Sequence, residues 1–152
     1  MTVKRAGSIL VSATLAAGLS AAAQAAPDNV PMNAASEVQG VQVACAGVGE
    51  RDEHNPRWMN YPVKLEFVGG YGQYLAGERV ALHGGRAHAA LDLRCNGPWL
   101  LMRLSPGHYH ATAAVPGAPA KHFSFTVPAH GRRHVVVRYP TKREGEPQAP
   151  QI

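Results

Sequence analysis

The sequence predicts an all-β fold, a single β-sandwich of about seven short strands. Short stretches of alternating apolar and polar residues recur from residue 61 to residue 139, and Gly or Pro ends most of them. No segment after residue 26 repeats apolar residues with the roughly 3.6-residue period of an amphipathic helix. About 127 residues follow the first 25, which is the size of one ordinary domain.

The N-terminal segment has the three-part order of a secretory signal peptide. Lys4 and Arg5 give it a positive start, and residues 9–23 carry no charge. Ala23 and Ala25 then place small side chains at the two positions that signal peptidase recognises. The apolar run is shorter, and more diluted with Ala, Ser and Gly, than the roughly 20 apolar residues of a membrane-spanning helix. We therefore expect cleavage after Ala25, no membrane anchor afterwards, and a periplasmic or secreted protein.

The chain divides into four predicted segments. Residues 1–25 are the signal peptide, and residues 26–36, with two prolines, are expected to be an extended and flexible leader. Residues 37–140 are expected to form the β-sandwich domain. Residues 141–152 combine prolines with mixed charge and predict a disordered tail.

The strands are predicted from their apolar alternation and from the turns between them. Val38 to Cys45 is the expected first strand, ended by the glycines at 47 and 49. The charged segment 50–60 contains Pro56 and is expected to be a loop, with one helical turn as the alternative. The later strands are expected at 63–67, 80–82, 89–95, 100–104, 109–113, 123–127 and 135–139.

Cys45 and Cys95 are predicted to form a disulfide. They are the only two cysteines, so one intramolecular pairing exists, and disulfides persist after export. Cys95 continues the inward face of Leu93, and Cys45 shares a face with Val43, so both sulfurs are expected to point into the core. The alternative is two unpaired, buried thiols that pack as small apolar side chains.

Three local strings carry a resemblance to a known family. They are GQYLA at 72–76, GPWLL at 97–101 and LSPGHY at 104–109. Together they resemble the carboxypeptidase regulatory-like domains, as found in small secreted uncharacterised proteobacterial proteins, over about residues 40–139. The resemblance implies a seven-stranded transthyretin-like (prealbumin-like) sandwich with an accessory, binding or structural role. It brings no catalytic residue and no cofactor.

The LSPGHY string also has a physical interpretation of its own. Pro106 fixes φ for a turn, and Gly107 can adopt the positive φ that the next turn position often needs. Tyr109 then enters a strand with its ring directed to the core and its hydroxyl within reach of a backbone group. This is a structural role and does not predict a site.

Catalytic motifs are not found, and we do not expect an enzyme. The sequence has no Gly-x-Ser-x-Gly, no His-Glu-x-x-His, no Cys-x-x-Cys and no phosphate-binding glycine loop. Ser36, Ser105 and Ser124 fall in the leader, in a turn and on the polar face of a strand. Transthyretin-like folds include a hydroxyisourate hydrolase, but its C-terminal Tyr-Arg-Gly-Ser ending is missing here. An enzyme on the same fold stays open as an alternative.

Histidine is the unusual feature, with eight in the chain. His108 and His110 project from one face of a strand. If the last three strands form a meander, His122 and His134 face outward from the same sheet. Imidazole suits Cu(II), Zn(II) and Ni(II), so a metal-binding protein is the second functional hypothesis. The favoured interpretation assigns no metal, because solvent-facing strand positions tolerate any polar residue and no carboxylate lies in the cluster.

Tyr71 and Trp99 are candidate binding aromatics beside predicted turns. An exposed patch of such rings would suit a glycan or a protein partner, whereas the favoured alternative packs Trp99 into one end of the sandwich beside Cys95. The net charge is +5 and falls to +3 when Lys4 and Arg5 are removed. Its basic residues are scattered, which does not predict nucleic-acid binding. The expected partner is another protein or an envelope component.

Overall fold

Strands dominate the computed structural model, which describes residues 24–47 and 49–140. Nearly all of the predicted signal peptide, and the whole predicted tail, lie outside the described residues. In the described part no helix is long and apolar enough to cross a membrane. The elements are β1 (Asp28–Asn29), β2 (Ala35–Val38), β3 (Val41–Ala46), α1 (Glu50–Glu53), α2 (Pro56–Met59), β4 (Val63–Gly69), β5 (Glu78–Gly84), β6 (Ala89–Cys95), β7 (Trp99–Met102), β8 (Gly107–Ala114), β9 (Lys121–Val127) and β10 (Arg133–Tyr139).

The strands form two facing sheets. Sheet A has the strand order β1-β6-β5-β8-β9, and sheet B has the order β10-β4-β7-β3-β2. The pairs β1–β6 and β4–β10 are parallel, and the others are antiparallel. The predicted all-β sandwich is confirmed, with ten strands in the described residues instead of about seven.

The main core lies between the sheets, where alternate residues of each strand point inward. On β4 the inward side chains include Leu65 and Phe67, and on β8 they include Tyr109 and Ala113, all of them fully buried. The Tyr109 hydroxyl donates to the Ser105 carbonyl oxygen at 2.7 Å. The predicted role of the LSPGHY string, a turn anchored by its tyrosine, is therefore confirmed.

The disulfide between Cys45 and Cys95 is confirmed. Cys45 lies on β3 of sheet B and Cys95 ends β6 of sheet A, with a Cα–Cα distance of 5.6 Å. Both residues are buried in the main core. The bridge therefore joins the two sheets across the core.

The predicted first strand is interrupted by a turn that the sequence reasoning missed. Gln39 and Gly40 have φ values of 51° and 76° and link β2 to β3 as a two-residue hairpin, with Val38 opposite Val41. Positive φ at both central positions is typical of the tight turns that match the twist of paired strands. Val38 and Val41 are three residues apart, a spacing that breaks the period of two, but the valines on both sides of the turn were interpreted as one strand.

The leader at 26–36 contains β1, a turn at Asn33 and the start of β2, and part of it pairs with the sandwich. Asp28 pairs with Leu93 of β6, and the Val30 N–H donates to the Arg94 carbonyl oxygen at 2.9 Å. Val30 is buried in the main core, which supplies the reason for the docking. The sandwich thus begins near residue 28, earlier than the predicted boundary at residue 37.

Residues 50–60, predicted to be a loop, contain the two helical turns α1 and α2. Pro56 occupies the first turn of α2, where its missing N–H costs no hydrogen bond, and the Asn55 side chain accepts from the Arg57 N–H at 3.1 Å. Asp52 is buried and accepts from the Gly47 N–H at 2.8 Å and from Trp58 Nε1 at 3.1 Å.

The helices cover the outer face of sheet B with a second small core. Its six buried members are Ala44, Ala46, Trp58, Tyr61, Trp99 and Leu101. The Asp52 hydrogen bonds attach the helical segment to the end of β3 and to the indole of α2. The prediction of a loop was wrong because these tertiary contacts stabilise helical turns that are too short to form alone.

The last three strands do not form the meander that would place all four candidate histidines on one sheet. β9 is an edge of sheet A, whereas β10 crosses to sheet B and pairs in parallel with β4 from Arg133 to Tyr139. Val137 and Tyr139 complete the core from that side. Alternation alone identifies the inward face of a strand but not the sheet to which it belongs, so this part of the prediction was wrong.

Candidate functional site

An open groove of about 850 Å³ runs over the outer face of sheet A. Outward side chains of β5, β6, β8 and β9 form its floor, and Ala26 and Asp28 of the leader lie at its border with Gln39. We call it the sheet A groove. The side chains that give it chemical character are His83, Asp92, His110, Thr112, His122 and Ser124.

Strand register brings these side chains together. His83 on β5 pairs with His110 on β8, and His110 in turn pairs with Ser124 on β9. Thr112 pairs with His122 in the same ladder. Residues directly opposite each other share a face, so the polar set points outward while its neighbours in sequence fill the core.

The His110 ring contacts two other histidine rings beside this groove. The His83 ring is stacked on the His110 ring with centroids 5.5 Å apart, and the His108 ring meets His110 edge-on at 4.9 Å. His108 Nδ1 lies 3.2 Å from Thr126 Oγ1. We call His83, His108 and His110 the three-histidine cluster. His83 was not among the predicted site residues, because the register that brings it to His110 is a tertiary feature.

The other two predicted histidines lie apart from this cluster. His122 is on the same face of sheet A but places Nδ1 2.9 Å from Thr112 Oγ1. His134 is on sheet B, where Nε2 lies 2.7 Å from Glu66 Oε2. The expectation that His134 shares a sheet with the others was therefore wrong. Within residues 24–47 and 49–140 no three His, Cys, Asp or Glu side chains are already placed to hold a metal ion.

Asp92 in the groove is held by an arginine. Arg79 donates from Nε to Asp92 Oδ1 at 2.9 Å and from Nη2 to Oδ2 at 2.6 Å. The hydrogen bonds from Arg79 lower the pKa of the Asp92 carboxyl against the opposing effect of its partial burial. Both oxygens of this carboxylate are thus engaged, which makes it a poor proton acceptor for a ligand in the groove.

The candidate aromatics have different environments. Tyr71 is 55% exposed, and Tyr74, three residues later, is 51% exposed. Trp99 is buried, as favoured, and its carbonyl oxygen lies 3.4 Å from Cys95 Sγ. Its ring belongs to the second small core on the outer face of sheet B. Lys64 Nζ lies 3.4 Å from the centre of the Trp99 ring and covers it. Tyr71 and Trp99 therefore do not form one exposed patch.

Glu78 is a buried carboxylate that the sequence reasoning missed. It is fully buried, and neither carboxylate oxygen has a hydrogen-bond partner in the described residues. Burial raises the pKa of Glu78 to about 8. The signal was present, because Glu78 shares the inward face of Val80 and Leu82 in a period-two pattern. Its side chain faces the core, on the opposite side of sheet A from the groove.

The Tyr139 hydroxyl responds to the same environment. It donates to the Ala113 carbonyl oxygen at 2.7 Å. Burial, and secondarily the negative charge of an ionised Glu78, raise the pKa of Tyr139 to about 12. Tyr139 is therefore a neutral hydrogen-bond donor at physiological pH.

The chain matches no protein-family model and no curated protein. The class of protein that the structure defines is an all-β sandwich whose two sheets are joined by a disulfide. One outer face carries a short helical cover, and the other carries an open groove with histidines.

Proposed function

We propose that this protein is a non-catalytic β-sandwich module, exported to the periplasm or beyond the cell, that binds another protein or an envelope component through the sheet A groove. The observation that carries the proposal is the difference between the two outer faces. On sheet B, Trp58 of α2 and Tyr61 just after it are nearly inaccessible in the second small core. On sheet A, four neighbouring strands present a groove to the outside.

The lining of the groove supports binding. It combines small apolar side chains such as Ala81 and Ala90 with hydroxyls and imidazoles from three strands. Concave surfaces of mixed character, with a few polar groups on rigid elements, are typical of binding sites. The strands are tied together by continuous ladders, so the groove is organised before a ligand arrives.

The charged groups support a binding role over acid–base catalysis. The negative charge of Asp92 is balanced by Arg79, which donates a hydrogen bond to each carboxylate oxygen. Glu78, whose raised pKa would suit a general acid, points into the core away from the groove. A catalytic acid must reach its substrate within hydrogen-bond distance, and Glu78 is sealed from this face.

Export and family membership belong to the same proposal. The Cys45–Cys95 disulfide supports export, because such bonds persist in oxidising compartments. The order of charge and apolar residues in 1–25 supports a cleaved signal peptide. The three strings at 72–76, 97–101 and 104–109 support a carboxypeptidase regulatory-like, transthyretin-like assignment.

In-cell photo-crosslinking tests the binding face. A photoreactive amino acid is placed at Ser124 in the groove or, as the control, at Val136, which is 49% exposed on the other sheet. We expect a discrete adduct from position 124 and none from position 136. Equal labelling at both positions, or no adduct at position 124, would contradict the proposal. The intact mass of the same exported protein should lack residues 1–25.

A further inference from the structure

We propose that the three-histidine cluster on the outer face of sheet A is a binding site for a divalent transition metal, with Cu(II) as its preferred ion. The site consists of His83, His108 and His110. The inference rests on the proposed function in one respect, that this face of sheet A is open for binding. It adds a ligand class that the groove alone does not identify.

Backbone register supplies the placement. His108 and His110 are two residues apart on β8 and therefore leave the sheet on the same side. His83 on β5 lies directly opposite His110 in the antiparallel ladder. Directly opposed residues have Cβ atoms about 4.5–5.5 Å apart. The three imidazoles therefore project from neighbouring positions on one face of two hydrogen-bonded strands.

The ring spacings suit one shared ion. Bonds of about 2.0–2.1 Å to imidazole nitrogen place neighbouring ligand atoms about 2.8 Å apart in a square-planar site and about 3.4 Å apart in a tetrahedral one. The ring centres lie farther apart than these nitrogens. The centroid distances of 5.5 Å for His83–His110 and 4.9 Å for His108–His110 therefore allow each of these two pairs to share one ion.

Ring rotation completes the site. In the structure the His83 and His110 planes are inclined by only 30°, so these rings stack and do not converge. All three residues are exposed, so rotation of their side chains displaces no core packing. Rotamer changes of exposed side chains take place in picoseconds to nanoseconds and do not limit binding.

A neighbouring hydroxyl orients one of the ligands. His108 Nδ1 lies 3.2 Å from Thr126 Oγ1 on β9. With the proton on Nδ1 donated to that oxygen, Nε2 is left as the metal ligand. Hydrogen bonding of the second ring nitrogen is the usual arrangement around metal-bound histidine, since it fixes both the ring and its tautomer.

The three imidazole nitrogens indicate which ion should bind most tightly. Neutral imidazole binds Cu(II), Zn(II) and Ni(II), and among these divalent ions Cu(II) gives the highest affinity for a given nitrogen site. Asp92 lies in the same groove, but its oxygens are engaged by Arg79. The site is therefore expected to be an all-nitrogen site, with solvent in the remaining positions.

Equilibrium dialysis of the tag-free exported protein against Cu(II) at neutral pH tests the inference. We expect one ion per chain, with Zn(II) bound more weakly. His83→Gln and His110→Gln should each weaken Cu(II) binding by at least about tenfold. His122→Gln is the matched control, because His122 is an exposed histidine on the same face with a hydroxyl partner of its own, and it should leave binding unchanged.

Several results would overturn the metal site. They are no binding of Cu(II) by the wild-type protein, equal losses in His122→Gln and His110→Gln, or a copper electron paramagnetic resonance spectrum without nitrogen hyperfine structure. Circular dichroism of each variant verifies its folding. The crosslinking at Ser124 is read separately, so failure of copper binding with the adduct retained rejects the metal site alone.

Discussion

Glu78 pairs with Cys95 in the β5–β6 ladder, so a buried and unpartnered carboxyl lies beside the point where the disulfide joins the two sheets. An ionised carboxylate at such a position lacks both water and a counter-charge. Burial accordingly raises its pKa to about 8, from an ordinary value of 4.5. The native sandwich therefore holds Glu78 in its neutral form at pH 7.

The free energy of unfolding is expected to fall as the pH rises from about 4.5 to about 8. Below about pH 4.5 Glu78 is protonated in both the folded and the unfolded chain, so its ionisation does not lower the free energy of unfolding. Above that value the unfolded chain loses the proton first, so unfolding becomes easier until the folded form also ionises near pH 8. The total loss in the free energy of unfolding is at most about 5 kcal/mol, at about 1.4 kcal/mol per pH unit.

Glu78→Gln tests this pH dependence, because it keeps the shape of the side chain but does not titrate. Urea denaturation should show a difference between variant and wild type that moves in favour of the variant from pH 5 to pH 8. All other titrating groups are shared and cancel in the difference. A difference that is constant over this range would show that Glu78 is not held neutral by the fold.

The Cys45–Cys95 bond is expected to stabilise the N-terminal strands most. Closing a loop of 50 residues contributes roughly 4 kcal/mol in the chain-entropy model. Because β2 is an edge strand of sheet B and β3 lies next to it, the double variant Cys45→Ala/Cys95→Ala should increase amide exchange there first. A uniform increase over both sheets, or an unchanged melting temperature, would contradict this account.

Much of the sandwich could be predicted from alternation, which identifies inward faces by their period of two. The features that alternation did not predict depend on contacts between residues far apart in sequence. Nothing local shows that β10 pairs with β4, that Val30 docks on β6, or that Asp52 binds the indole of Trp58. The turn at Gln39 was missed because glutamine seldom adopts positive φ.

The candidate site was also predictable only in part. The outward direction of His108 and His110 follows from their spacing on one strand. His83 joins them only through the β5–β8 register, and His134 leaves them because its strand changes sheets. Glu78 was within reach of the same period-two argument, and it was missed because acidic residues are usually exposed.

Asp52 is expected to hold the helical cover on sheet B. Asp52→Ala removes the acceptor of the Gly47 N–H and of Trp58 Nε1 and should cost about 1–3 kcal/mol. The Trp58 indole should then become accessible to solvent, and the tryptophan fluorescence maximum should shift to longer wavelength. The control is Glu53→Ala, an exposed position on the same helical turn. An equal effect of the two substitutions would contradict the assigned role.

Gly85 is expected to be required by the tyrosine-anchored turn. It has a φ of 73°, and a Cβ there would overlap the Tyr109 hydroxyl. Gly131 has a φ of 88° with no atom within 4 Å of its would-be Cβ, so it matches the backbone strain without the clash. Thermal melts should show Gly85→Ala to be more destabilising than Gly131→Ala, whose cost is about 1–2 kcal/mol. Equal costs would show that packing against Tyr109 is unimportant.

A bulky side chain in the sheet A groove should prevent a partner from binding there. Ala81→Trp places a large ring in the groove, whereas Val136→Trp adds the same ring to the exposed face of sheet B. The measurement is the yield of the in-cell crosslinked adduct from a photoreactive residue at Ser124. We expect Ala81→Trp to abolish the adduct and Val136→Trp to leave it intact. An adduct that persists in Ala81→Trp protein of native fold would show that the partner does not bind in the sheet A groove.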